Sequence, residues 1–170
     1  ALKEGDFYGP ASSVRSGQLV AVFRALEVRK SGIGVGRIAA GKAAHEYSVE
    51  HVAPQSLLNR KNASRGWGPS VKSWGVNSTS YTPVMHTLGN LALMTNAMNK
   101  WCSDKPLDEK RKALTDAGKG SRGKKAWPEM PILRVNEFLK SADRWTPIEI
   151  QQRTNALARE IIDMWQIPAI

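Results

Sequence analysis

A single cysteine, Cys102, stands in a chain of 170 residues. That excludes an internal disulfide and any zinc or iron–sulfur site built from clustered cysteines, and it suits a reducing compartment. No apolar run approaches the ~18–20 residues of a membrane span. Nor is there a basic-then-apolar opening with a small-residue cleavage site, so no secretory signal is expected and the cytoplasm is the expected location. Ala1 rather than Met opens the chain, so a piece of something longer is expected. Acids are scarce: 15 Asp and Glu against 25 Lys and Arg leave a formal charge of +10. Apolar content of 41% is a little below the usual ~45–50% but enough for a core, which excludes disorder over most of the chain. The length suits one domain, since roughly 100–200 residues make one.

A surplus of ten positive charges on so small a body costs stability through self-repulsion. The usual reason for it is a polyanionic partner, because a positive surface steers nucleic acid in and gains counterion release. A merely soluble basic protein is the alternative, and charge alone does not decide.

Residues 1–10 hold Gly5, Gly9 and Pro10 without periodicity and read as a lead-in. Ser12 or Ser13 is placed to cap a helix reaching about Lys30, with Leu19, Val22, Phe23 and Leu26 on one face. Gly32, Gly34, Gly36 and Gly41 then form a connector; their spacing is not that of a nucleotide loop, and no Lys-Ser or Lys-Thr pair follows. His45 to His51 alternates weakly and reads as a short strand running into Pro54. Residues 56 to 86 read as one long irregular loop, of a length that is usually functional. Leu88 to Met94 is expected as a second strand, Thr95 to Trp101 as a helix start, and Leu107 to Ala117 as a helix stopped by Gly118. Gly118 to Lys125 reads as an exposed basic loop, and Ile132 to Leu139 as a short helix. Thr146-Pro147-Ile148-Glu149 is a capping box with proline at the first helical position. Ile150, Leu157, Ile161, Met164 and Trp165 are the expected buried stripe of that last helix, which Pro168 ends. No internal repeat is present.

Catalytic residue types gather in two places: Glu50-His51-Val52-Ala53-Pro54-Gln55 at a strand end, and His86 through Asn99, with Asn90 before the helix and Asn96 and Asn99 on it. Two strands leading into a helix are able to hold one hard cation between an acid–histidine pair and an asparagine. Oxygen atoms of Glu50 and Asn99 suit magnesium, which keeps several waters and takes one or two protein oxygens plus a substrate phosphate. A neutral His51 beside it would take a proton from an attacking water. Such parts suffice to hydrolyse a phosphodiester. His45 to His51 fits neither H-E-x-x-H nor H-x-x-E-H, which disfavours a zinc protease. Cys102, beside Trp101 in an apolar helix segment, reads as core filling rather than a nucleophile. Taken alone, the Glu50–His51 pair also fits a structural network.

Y-S-V-E-H-V-A-P-Q (Tyr47 to Gln55) resembles the first motif of HNH, or ββα-metal, nucleases, and H-T-L-G-N-L-A-L-M-T-N-A-M-N-K (His86 to Lys100) their second and third. With K-P-L-D-E-K (Lys105 to Lys110) and W-T-P-I-E-I-Q-Q-R-T-N-A-L-A (Trp145 to Ala158), the chain resembles the C-terminal nuclease domain of GmrSD-type modification-dependent restriction enzymes, including their phosphorothioate-sensing relatives. The likeness covers roughly residues 45 to 167. It implies a helix-dominated α+β fold in which a ββα-metal hairpin and helix are surrounded by further helices, with residues 1–44 as lead-in, helix and connector. It implies His51 as general base, Glu50 and Asn99 as ligands of Mg2+ or Mn2+, and Asn90 as the brace of the loop bearing the histidine. His86 would touch phosphate or support the site, and Lys110 would meet a DNA phosphate. Asp104 stands where relatives often have Asn; it would be a second metal ligand or only a helix-terminus acid. The implied activity is metal-dependent nicking or cleavage of double-stranded DNA, modified or unmodified, in restriction or phage defence. The complete protein would carry an N-terminal ParB-like nucleotide-hydrolysing domain that senses modified DNA.

Successive strand residues point to opposite faces, so a regular strand would separate Glu50 from His51, and Glu50 would be the first to lose its role; a twist or a strand end after Val49, which Pro54 favours, would reconcile them. A DNA-facing surface is expected from Lys100, Lys105, Lys110, Arg111, Lys119, Arg122 and Lys124, joined by Arg60, Arg65, Lys72 and Lys112. These contacts would go mostly to phosphates. Trp67 and Trp74 would stack on a base or, more commonly, pack inward. A catalytically silent nucleic-acid-binding module and an RNA-cleaving toxin on the same scaffold are the alternative readings.

Overall fold

The computed structural model describes residues 16–32, 47–58, 66–115 and 133–165. The architecture is α+β and dominated by helices around one small antiparallel sheet. Helix α1 (Ser16–Ser31) buries Leu19, Phe23 and Leu26 completely, a spacing that sets them on one helical face. These residues join the same core cluster as the strands.

Strand β1 (Tyr47–His51) pairs with β2 (Leu91–Thr95), running from Tyr47 opposite Thr95 to His51 opposite Leu91. Every residue of β2 is buried, so its run of apolar side chains reflects enclosure on both faces. The second strand begins later than the sequence suggests, because Leu88–Asn90 forms a turn of 3-10 helix. There Asn90 turns its side chain inward, as described below.

The region expected as one irregular loop is in good part regular where described. Helix α2 (Trp67–Ser73) buries Trp67 and Val71; Pro69 lies in its first turn, where a missing N–H breaks no helical bond. A 3-10 turn follows at Ser78–Tyr81, with the Asn77 side chain accepting the Ser80 N–H at 3.0 Å.

Thr95 ends β2 and caps the next helix, α3 (Asn96–Cys102), its hydroxyl accepting the Met98 N–H at 3.2 Å. Helix α4 spans Leu107–Thr115, and the short helix expected near 132–139 is a 3-10 helix at Arg134–Ser141. Helix α5 (Pro147–Trp165) opens on the expected box: the Thr146 N–H donates to Glu149 Oε2 at 2.8 Å, and the Ile148 N–H to Thr146 Oγ1 at 3.3 Å. Ile150 and Leu157 are buried along it. Trp165 departs from the expected stripe, for it is 48% exposed; the last turn lies at the edge of the core, with Ile162 also open to solvent. The glycine connector beyond Gly32, the residues from Gly118 to Lys125 expected as a basic loop, and Pro168 lie outside the described residues.

Candidate active site

Helix α3 packs on the β1–β2 hairpin, and a cleft of about 600 Å³ opens where they meet, lined among others by Glu50, His51, Asn99, Lys100 and Asp104. Pairing of β1 continues through His51, yet Glu50 and His51 both border this cleft. The chain bends at Val52 and Ala53 immediately afterwards, so the cleft wraps the end of the strand rather than one face of it.

The Lys110 ammonium lies under Glu50. Its Nζ donates to Glu50 Oε1 at 2.8 Å, to the His51 carbonyl at 3.0 Å and to the Val52 carbonyl at 3.1 Å. An ammonium has three N–H donors, and each has an acceptor here. Lys110 is wholly buried, so the expected phosphate contact is corrected: enclosure and full occupation of its donors keep it from DNA. Burial pushes the Glu50 carboxyl above its ordinary range, against the pull of the Lys110 charge and of the His51 backbone N–H.

His51 Nε2 lies 3.2 Å from His86 Nδ1, with the rings edge to face. One of the two nitrogens must carry the proton between them. Burial, then the nearby His86 and Lys110, pushes the His51 pKa down to about 4. At neutral pH this imidazole is therefore uncharged.

Asn90 is fully buried and uses both ends of its amide. Its oxygen accepts the Ala53 N–H at 2.8 Å and the Trp145 indole N–H at 3.1 Å. Its nitrogen donates to the carbonyls of Ala53 at 3.0 Å and Met85 at 2.9 Å. Both main-chain groups of Ala53, two residues beyond His51, are thus held by one side chain. Asn99 Nδ2 donates to Ser48 Oγ at 2.8 Å and to the Val49 carbonyl at 3.3 Å, which directs the amide oxygen away from those acceptors. Asp104 lies exposed at the rim beyond Ser103, whose φ of 38° is unusual for a residue with a side chain. Among the described residues no group of three or more His, Cys, Asp or Glu side chains clusters as a metal site would.

Of the expected DNA-facing cations, Lys100 is exposed in the cleft. Lys105 is half-buried with its ammonium 4.6 Å from the Trp101 ring centre. Arg111 bonds the Ala142 carbonyl at 3.0 Å and the exposed Asp143 at 2.8 Å. Lys119, Arg122 and Lys124 lie outside the described residues. Trp67 packs inward, its indole N–H on the Lys105 carbonyl at 2.6 Å, with Trp74 edge-on beside it. Burial pushes the Cys102 thiol up to about 12, which leaves it no nucleophilic thiolate.

Sequence reasoning missed the wall behind Asn90. Arg153 Nη1 donates to the carbonyls of Gly89 and Leu91 at 2.6 Å each and of Leu88 at 3.3 Å. Its guanidinium stacks 3.4 Å from the Phe138 ring centre. Thr154 Oγ1 accepts the Gly89 N–H at 3.0 Å. Arg153 falls between Ile150 and Leu157 at helical spacing, and Lys110 falls between Leu107 and Leu114 in the same way. A cation on an apolar stripe is the signal that would have found both.

A hairpin and helix that gather an acid–histidine pair and an asparagine around one cleft, within a helical shell, place the chain among α+β domains with a strand-end site. It belongs to the family of the C-terminal domain of GmrSD restriction endonucleases, whose model matches residues 15–160. Membership makes this a restriction-endonuclease domain. No curated protein and no solved structure matches it.

Proposed function

We propose that this domain hydrolyses DNA phosphodiesters at the Glu50–His51–Asn99 cleft with the help of a divalent cation, Mg2+ or Mn2+. One observation carries the reading: a histidine kept neutral by burial borders the same cleft as two oxygen-bearing side chains. Those oxygens fit a hard cation. Asn99 has its amide nitrogen committed to β1, and the Glu50 side chain keeps an 11% exposed edge. Glu50 and Asn99 would hold the ion, with Asp104 at the rim as a further oxygen source. When bound, such an ion neutralises charge on the phosphate and the leaving oxygen.

His51 takes the proton from the attacking water as general base. Its depressed pKa keeps it unprotonated throughout the neutral range, at some expense of basicity. His86 and the Asn90 clamp orient its ring and the chain that follows. Lys100, with Lys119, Arg122 and Lys124, holds the DNA backbone without reading sequence. A single site of this kind nicks one strand per encounter. In the full protein the domain is the cytoplasmic effector of restriction or phage defence, joined to an N-terminal ParB-like nucleotide-hydrolysing domain that senses modified DNA, phosphorothioate included.

Supercoiled plasmid incubated with the protein, with and without Mg2+ or Mn2+, tests this beside His51→Ala. Metal-dependent relaxation is expected from the wild type, with loss of about 10²–10⁴ in rate from the variant, the usual worth of a general base. Retained cleavage by the variant overturns the role of His51. Shifted mobility without any cleavage favours the silent binding module, and cleavage of RNA in preference to DNA favours the toxin.

A further inference from the structure

The side chains around the cleft nearly cancel in charge. Glu50 and Asp104 supply the acids and Lys100 a cation on its lining, while the Lys110 ammonium stands directly behind Glu50 at 2.8 Å. Lys110 has nowhere else to go, since all of its donors are taken up by Glu50 and the His51 and Val52 carbonyls. The affinity of an oxygen site for a hard cation rises with the negative charge its ligands carry. Here the principal carboxylate arrives already paired with an ammonium, and the other acid of the lining, Asp104, shares it with the cation Lys100.

We infer that Lys110 is the built-in counter-charge of Glu50, and that it makes the divalent cation enter together with a DNA phosphate rather than ahead of it. A phosphodiester brings the missing negative charge and further oxygen ligands to the same cleft. By linkage the cation then tightens DNA by the same factor as DNA tightens the cation. Lys110 acts through Glu50 and the strand end, so it is a positioning residue that touches neither water nor phosphate. The arrangement keeps the ion, and hence hydrolysis, tied to the presence of substrate. This inference rests on the reading of the cleft as a cation-dependent DNA-cleaving site.

Mn2+ titration followed by electron paramagnetic resonance tests it in the His51→Ala protein, which is expected to bind duplex with cleavage slowed by about 10²–10⁴. The titration is run with protein alone and with a short duplex that gel mobility shows to be bound, Mn2+ taken up by duplex alone being subtracted. The Kd for Mn2+ is expected to tighten about tenfold or more when duplex is present, within the usual range of coupling between sites. Adding Lys110→Met should tighten Mn2+ binding in the absence of duplex and shrink that coupling. Equal Mn2+ affinity with and without duplex overturns the inference and leaves the cation site standing. A folded Lys110→Met protein that binds Mn2+ no more tightly overturns the role of Lys110. If that variant does not fold, Lys110→Gln, which removes the charge but keeps N–H donors for the strand-end carbonyls, takes its place in the same titration. No bound Mn2+ even with duplex overturns the cation-dependent reading itself, and the inference falls with it.

Discussion

Trp145 donates its indole N–H to Asn90 Oδ1 at 3.1 Å, the same oxygen that receives the Ala53 N–H at 2.8 Å. The residue that leads into α5 is thereby tied, through one amide, to the segment that follows His51. Thr154 and Arg153 add to this by holding the main chain on both sides of Asn90. The first half of α5 is thus the back wall of the hairpin that carries the histidine, although it lies far downstream in sequence.

Replacing Asn90 by Leu strands the Ala53 N–H and carbonyl, the Met85 carbonyl and the Trp145 indole N–H in a buried site. Each of the four unsatisfied buried groups costs ~1–3 kcal/mol, so a total loss of at least about 4 kcal/mol is expected. Asn90→Asp keeps the two acceptor roles but sets a buried carboxyl oxygen against the Ala53 and Met85 carbonyls, and should lose at least as much. Urea unfolding of the variants measures both, and an Asn90→Leu loss under about 1 kcal/mol would contradict the clamp.

Gly89 is pressed against α5. A Cβ there would stand 1.9 Å from the Ile150 carbonyl oxygen and 2.8 Å from the Thr154 nitrogen. Both are backbone atoms of the helix, so Gly89→Ala must part the helix from the Asn90 segment. Overpacking of this kind costs about 1–3 kcal/mol, more where backbone must move. Thr154→Val removes the hydroxyl that accepts the Gly89 N–H and should cost about 1–2 kcal/mol. Thermal unfolding compares the two. An unshifted Gly89→Ala midpoint would show that the contact is not tight.

What could be read in the sequence was local or ordered along the chain. The Thr146–Glu149 box is visible because its partners are three residues apart, and the order of strand, strand and helix follows from period and capping. Burial of single cations was legible only in their place on an apolar stripe, and its reason was not: what Lys110 and Arg153 are buried for emerges when the Glu50 carboxylate and the Leu88–Leu91 carbonyls are seen against them. The 3-10 turn at Leu88–Asn90 escaped for a related reason, since an apolar run reads as strand until a tertiary partner claims the Asn90 amide. Helix α2 was hidden by Gly66, Gly68 and Pro69, whose turn-like composition masks the spacing of Trp67 and Val71 that buries it.

Lys100 and Lys110 are both lysines near the cleft, and only the first faces solvent. Each phosphate contact adds about 0.9 to the slope of log affinity against log salt. Lys100→Ala should therefore weaken duplex binding and lower that slope by about one. Lys110→Met should leave the slope unchanged where the protein folds. Filter binding across a salt series measures both, and a lowered slope for Lys110→Met would restore the phosphate contact that its burial argues against.

His51 predicts how stability responds to acid. Folding holds its pKa near 4 against an ordinary value of 6.5. The unfolded chain therefore binds the extra proton in that window, and the folded chain does not. Stability from this residue is fully present above pH 6.5 and is lost as pH falls toward 4. At 1.36 kcal/mol per unit the shift corresponds to at most about 3 kcal/mol, partly offset as water reaches the ring. The comparison must be made without divalent cations, with urea unfolding at pH 7 and pH 5 in chelator. His51→Asn cannot take up the proton, so its stability should fall less between those two values than that of the wild type. Parallel losses in wild type and variant would mean that the imidazole is already hydrated in the folded state, and that burial does not hold it neutral.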